Sequence, residues 1–124
     1  MDRHLKGRVL LVDDEPHIRM LISEYLVSEG YVVQTAVDGL DALTKVRGEL
    51  PDLIVSELEM PLMSGHELLA VVRRDFPQIP FIIISEYAPD ELQLEVTADA
   101  YHYKGVFRFQ KLLETISDLT RKTP

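Results

Sequence analysis

Residues 8–16 read Arg8-Val9-Leu10-Leu11-Val12-Asp13-Asp14-Glu15-Pro16. A short apolar run that ends in acids is typical of a strand buried on both faces of a parallel sheet. Proline is well tolerated in the first turn of a helix, because its missing N–H has no partner there. The stretch therefore predicts a buried strand followed by a helix, with two aspartates at the junction.

The same alternation of strand and helix continues along the chain. Further strands are predicted over residues 31–36, 53–56, 80–85 and 100–103. Asp38 is a predicted helix cap, and Ser64 with Glu67 has the form of a capping box. A short helix over 90–96 and a final helix over 109–119 complete the series. Five strands alternating with five helices predict a doubly wound parallel sheet, in three α/β/α layers with right-handed crossovers.

Length and composition fit one globular domain. The chain has 124 residues, of which 46% are hydrophobic, and it contains no cysteine. We expect a single domain over 1–124 with its core at about 8–119. The formal net charge of −8 repels phosphate backbones, which argues against nucleic-acid binding. No run approaches the roughly 18 apolar residues of a membrane span. We expect a cytoplasmic protein without membrane contact.

The strand ends place polar residues at one edge of the predicted sheet. In doubly wound sheets, ligands bind beyond the carboxyl ends of the strands. The residues at those ends carry several carboxylates, one hydroxyl and one ammonium: Asp13, Asp14, Glu57, Glu59, Ser85, Glu86 and Lys104. Clustered hard oxygen ligands suit Mg²⁺. The aspartates could instead only cap the first helix, since acids favour helix N-termini.

Four motifs in this order resemble the receiver domain of bacterial response regulators. They are Val12-Asp13-Asp14-Glu15-Pro16, Glu57-Leu58-Glu59-Met60-Pro61 with Gly65, Ser85, and Tyr101-His102-Tyr103-Lys104. The resemblance covers about residues 8–119. It implies a flavodoxin-like (βα)5 fold and a role in phosphorelay, or two-component, signal transduction.

The resemblance also implies roles for individual residues. Asp13 and Asp14 become Mg²⁺ ligands, together with the backbone carbonyl of Glu59. Ser85 becomes the hydroxyl switch, Lys104 the partner of the phosphate or carboxylate, and Tyr101 the aromatic switch. The implied partners are a histidine kinase or another signalling protein, and an output domain or partner protein at the surface of strands four and five.

Glu57 stands at the position where the family normally has its phosphorylated aspartate. The extra methylene moves the carboxylate by about 1.5 Å, one C–C bond length. In-line phosphoryl transfer depends on positioning, and a displacement of about 1 Å can cost around a hundredfold in rate. Glu86 is a second departure: it either crowds and repels a phosphoryl group or points to solvent. We expect Glu57 to pair with Lys104 and to imitate phosphorylation in part, and Mg²⁺ binding stays open because Glu57 could fill its space.

Three functions follow as hypotheses. The first is a degenerate receiver that acts through protein–protein contact without phosphorylation and is not an enzyme. The second is a working Mg²⁺-dependent phosphoacceptor, with at most weak autocatalytic phosphotransfer, that uses Glu57 or a neighbouring carboxylate. The third is a metal-dependent phosphohydrolase, which ranks last because that class also needs an aspartate nucleophile where Glu57 stands.

Overall fold

A parallel five-stranded sheet forms the centre of the computed structural model, which describes residues 6–87, 97–104 and 108–121. The spatial order of the strands is β2-β1-β3-β4-β5, and every neighbouring pair is parallel. The strands are β1 (Gly7–Val12), β2 (Tyr31–Ala36), β3 (Leu53–Glu57), β4 (Phe81–Ser85) and β5 (Ala100–Tyr103). The doubly wound, flavodoxin-like sheet predicted from the sequence is confirmed, and β3 extends one residue further than predicted, so that Glu57 lies within it.

Four helices cover the two faces of the sheet within the described residues. They are α1 (Pro16–Ser28), α2 (Gly39–Gly48), α3 (Gly65–Asp75) and α4 (Phe109–Thr120). The Asp38 side chain caps α2 by accepting a hydrogen bond from Asp41 N, and Ser64 forms a complete capping box with Glu67 at α3. The helix predicted over 90–96 lies outside the described residues. None of the described helices has the length and apolar character needed to cross a membrane.

Each face of the sheet has its own core. Alternate strand residues pack under α2 and α3 on one side, as Leu10 and Ile54 do, and under α1 and α4 on the other, as Leu11 and Val55 do. This alternation follows from the pleat of the strands. Leu21 on α1 and Leu40 on α2 lie outside both cores, with 48% and 49% of their surface exposed.

Candidate functional site

The carboxyl ends of β1, β3 and β5, with the residue after β4, open into a polar cleft of about 410 Å³. The described residues that line it are Asp14, Glu15, Pro16, Glu57, Glu59, Glu86 and Lys104. Asp13 and Ser85 are buried at the ends of β1 and β4. The structure thus brings the sequence-predicted site residues of all four strands to one edge, and Lys104 is the single cation among the described lining residues.

Glu57 lies at the centre of this edge and is only 5% exposed. Its Oε2 atom accepts a hydrogen bond from Leu58 N at 2.9 Å and lies 3.4 Å from Glu59 N. Its Oε1 atom contacts the Lys104 ammonium. Within the described residues this buried oxygen has no partner other than that ammonium. Each oxygen of the Glu57 carboxylate therefore already has a partner within the protein.

Lys104 is held in its charged form by the acids around it. Burial would lower the pKa of Lys104, but the hydrogen bond and the charge of Glu57 outweigh it, with further contributions from Asp13 and Glu86, so that the pKa is raised. Glu86 is exposed and lines the cleft. Its charge therefore acts on Lys104 from the solvent side, and its role as a block to a phosphoryl group stays a prediction.

Asp13 is only 1% exposed at the end of β1. Burial raises the pKa of Asp13 to about 6. The hydrogen bond from the Glu15 backbone and the Lys104 charge lower the pKa, and the charges of Glu57 and Asp14 raise it. Its Oδ1 atom accepts that hydrogen bond at 2.9 Å, and Arg19 Nη1 donates to the Asp13 carbonyl at 2.7 Å. Sequence reasoning missed the Arg19 contact, and its only signal is the position of Arg19 one turn into α1.

Gly65 explains why the loop after β3 needs a glycine. A Cβ atom at this position would lie 2.2 Å from the Glu57 carbonyl oxygen and 3.0 Å from Leu58 Cα. Gly65 N donates a hydrogen bond to the Leu58 carbonyl at 2.7 Å. The start of α3 therefore packs directly on the backbone of Glu57 and Leu58, and this contact fixes the position of the backbone from which the Glu57 side chain extends.

Comparison with known proteins identifies the family. The sequence pattern described as the response regulator receiver domain matches residues 9–116. The chain belongs to the receiver domain family. It is similar to sensor kinase CckA of Brucella abortus, at 37% identity over 92% of this chain and 12% of that protein. It is also similar to hybrid signal transduction histidine kinase D of Dictyostelium discoideum, at 39% identity over 75% of this chain and 6% of that protein.

Solved structures show the same relationship. Response regulator TrrA of Thermotoga maritima, in complex with Mg²⁺-BeF, superimposes with a TM-score of 0.82 at 37% identity, over 90% of this chain and 97% of that one. Chemotaxis response regulator CheY4 of Vibrio cholerae gives a TM-score of 0.84 at 33% identity, over 91% and 98%. Receiver domains are signalling modules of two-component systems that interact with histidine kinases and output domains.

Ser85 and Tyr101 occupy the two positions that resemble the receiver switch. The Ser85 hydroxyl accepts a hydrogen bond from Tyr87 N at 2.9 Å. Tyr101 is half-buried, with its ring against the core under α2 and α3 and its hydroxyl accepting from Ala98 N at 3.1 Å. Both side chains are thus held by the segments on either side of residues 88–96.

The predicted Mg²⁺ ligands lie at one edge of the sheet, and two of the acids there already have other partners. Glu57 contacts Lys104 and two backbone amides, and Asp13 Oδ1 accepts from Glu15 N. Within the described part of the chain, no group of three or more His, Cys, Asp or Glu side chains is arranged to hold a metal ion. The predicted set consists of two side chains and a backbone carbonyl, those of Asp13, Asp14 and Glu59, and it stays a prediction.

Proposed function

We propose that this receiver domain signals through protein–protein contact without being phosphorylated at Glu57. The observation that supports this proposal is the buried pair of Glu57 and Lys104. An acceptor carboxylate must aim an oxygen lone pair in line with the phosphoryl group. Glu57 Oε1 contacts an ammonium and Oε2 accepts from an amide, so these two contacts fix the orientation of the carboxylate and oppose its realignment for attack.

The reach of the side chain adds to this barrier. Glutamate places its carboxylate about 1.5 Å further along than aspartate, and a misplacement of about 1 Å can cost around a hundredfold in rate. Glu86 lies at the cleft and is exposed, where its charge opposes an approaching phosphoryl group. Both effects reduce transfer without disturbing the fold.

The pair also supplies a permanent negative charge beside Lys104. A phosphoryl group carries about 1.5 to 2 negative charges at neutral pH, against one for Glu57. In this proposal Glu57 therefore imitates the phosphorylated state only in part. Lys104, Ser85 and Tyr101 keep the switch roles that the receiver resemblance implies.

The proposed partner is a histidine kinase, another signalling protein or an output domain in the cytoplasm. It would bind at the surface of β4 and β5, where Glu86, Tyr87 and Tyr103 are exposed. The net charge of −8 disfavours nucleic acid as the partner of this domain. We propose no enzymatic activity beyond weak autocatalytic phosphotransfer.

Chemical phosphorylation tests the proposal. The protein is incubated with acetyl phosphate and Mg²⁺, and its intact mass is measured. The unmodified mass is expected for the wild type and for Glu57→Gln, whereas Glu57→Asp, which restores the shorter carboxylate, is expected to gain an adduct. A stoichiometric adduct on Glu57 of the wild type would refute the proposal.

A working phosphoacceptor is the second candidate. The observation that favours it is Asp14, an exposed carboxylate that lines the cleft. Peptide mapping of any adduct distinguishes Asp14 from Glu57, and an Asp14→Asn variant should then abolish labelling. The phosphohydrolase hypothesis ranks below both, and a phosphatase assay with and without Mg²⁺ tests it directly.

A further inference from the structure

We infer that the Lys104 ammonium serves as the resident cation of the cleft beside Glu57 and opposes the binding of divalent ions, so that Mg²⁺ binds more tightly when the lysine charge is removed. This inference deepens the proposed function, because it explains how the Glu57 site is kept in one state. It concerns the binding of a cation and not of a phosphoryl group, so an experiment can refute the inference without refuting the proposed function, and the reverse.

The charge balance of the cleft is the first argument. Four carboxylate side chains line it, those of Asp14, Glu15, Glu57 and Glu59, with Glu86 as a fifth, and Asp13 lies buried beside them. Such a set attracts cations. Lys104 is the single positive group among the described lining residues, and it is the group that already contacts the central acid.

The geometry at Glu57 is the second argument. A lysine ammonium is a compact point charge with three donors, and here it contacts Glu57 Oε1. The other oxygen of Glu57 is bound by Leu58 N. A divalent ion that binds this carboxylate must either displace the ammonium or lie beside it, and in both cases two positive charges come close together in a partly buried position.

The two cations therefore repel each other across the Glu57 carboxylate. If the Lys104 charge weakens Mg²⁺ binding, removal of that charge should strengthen it. Removing the ammonium frees Glu57 Oε1 to join Asp13, Asp14 and the Glu59 carbonyl, the oxygen set that Mg²⁺ prefers. Replacement of Lys104 by a neutral residue is thus expected to strengthen Mg²⁺ binding.

Calorimetric titration of the full chain with Mg²⁺ alone tests this. The wild type is expected to show weak binding at most, and Lys104→Met at least about tenfold tighter binding, within the range of common coupling between two ligands. Lys104→Arg retains the charge and should behave like the wild type. Lys111→Met, which removes an exposed lysine on α4, controls for the change in net charge.

Several outcomes would overturn the inference. Wild-type protein that binds Mg²⁺ as tightly as Lys104→Met would show that the ammonium excludes nothing. A Lys104→Met variant no tighter than Lys111→Met would show that the lysine is not the obstacle. Since Lys104→Met leaves a buried carboxylate unpaired and could fail to fold, Lys104→Gln, whose neutral amide can still donate to Glu57, provides the same comparison. Phosphorylation of Glu57 alongside a gain of Mg²⁺ binding would refute only the proposed function.

Discussion

Asp13→Asn should stabilise this receiver domain at alkaline pH and leave its stability unchanged in acid. Asp13 is almost fully buried, and burial raises the pKa of its carboxyl from 3.8 to about 6. The charged form is therefore unfavourable in the folded protein. Asparagine has the same shape, keeps an oxygen that can accept from Glu15 N, and cannot ionise.

The sign and the size follow from proton linkage. Between pH 3.8 and about 6 the folded state binds more protons at Asp13 than the unfolded state, so the free energy of unfolding falls as the pH rises through this window. One pKa unit corresponds to about 1.4 kcal/mol, so the full rise costs the wild type about 3 kcal/mol above pH 6. Asp13→Asn escapes this cost, and its advantage should grow from nothing near pH 4 to about 2 to 3 kcal/mol near pH 8.

Urea denaturation in metal-free buffer measures this difference. The free energies of unfolding of the wild type and Asp13→Asn are compared at several pH values across the window. Glu24→Gln is the matched control, because Glu24 is an exposed acid on α1 and surface substitutions usually change stability by less than about 0.5 kcal/mol. Parallel pH profiles for the wild type and Asp13→Asn would refute the assignment of a raised pKa to Asp13.

Three further substitutions test the loop that holds Glu57, each by urea denaturation. Gly65→Ala should lower the free energy of unfolding by about 1 to 3 kcal/mol or more, since the added Cβ would meet backbone atoms. Gly48→Ala is the control: Gly48 has open space around it, so the free energy of unfolding should stay the same or rise by up to about 1 kcal/mol. Leu62→Gly should gain about 1 kcal/mol, because Leu62 has a φ of 69° and is 77% exposed, whereas Leu62→Ala should not. Ser64→Ala should lose about 1 kcal/mol with the capping box. The opposite sign in any of these would contradict the geometry described.

The sheet could be predicted well from the sequence because short apolar strands and helical segments alternate along the whole chain. The strands over residues 31–36 and 100–103 match the observed β2 and β5, and the Ser64 capping box is present. The helical period says less about burial, since Leu21 and Leu40 fit the apolar spacing of α1 and α2 and are nevertheless about half exposed.

The details of the site were less accessible to prediction. The strand ends indicated which residues meet, but not which oxygen of Glu57 faces Lys104 and which faces Leu58 N. These contacts depend on side-chain torsions, which the pattern of residue types does not encode. The Arg19 contact with the Asp13 carbonyl escaped prediction for the same reason, because any long side chain on that turn of α1 fits the pattern.

The motif that identifies the family also has a structural explanation that does not involve phosphate. Gly65 is required by the Glu57 backbone, Ser64 caps α3, and the buried apolar residues of β3 pack against both cores. A receiver domain that no longer accepts phosphate would still need these residues to fold. Resemblance over the motif therefore cannot separate a working acceptor from a degenerate one. In our proposal that distinction depends on the Glu57 side chain and its contact with the Lys104 ammonium, and Glu57→Asp and Lys104→Met are the variants that change them.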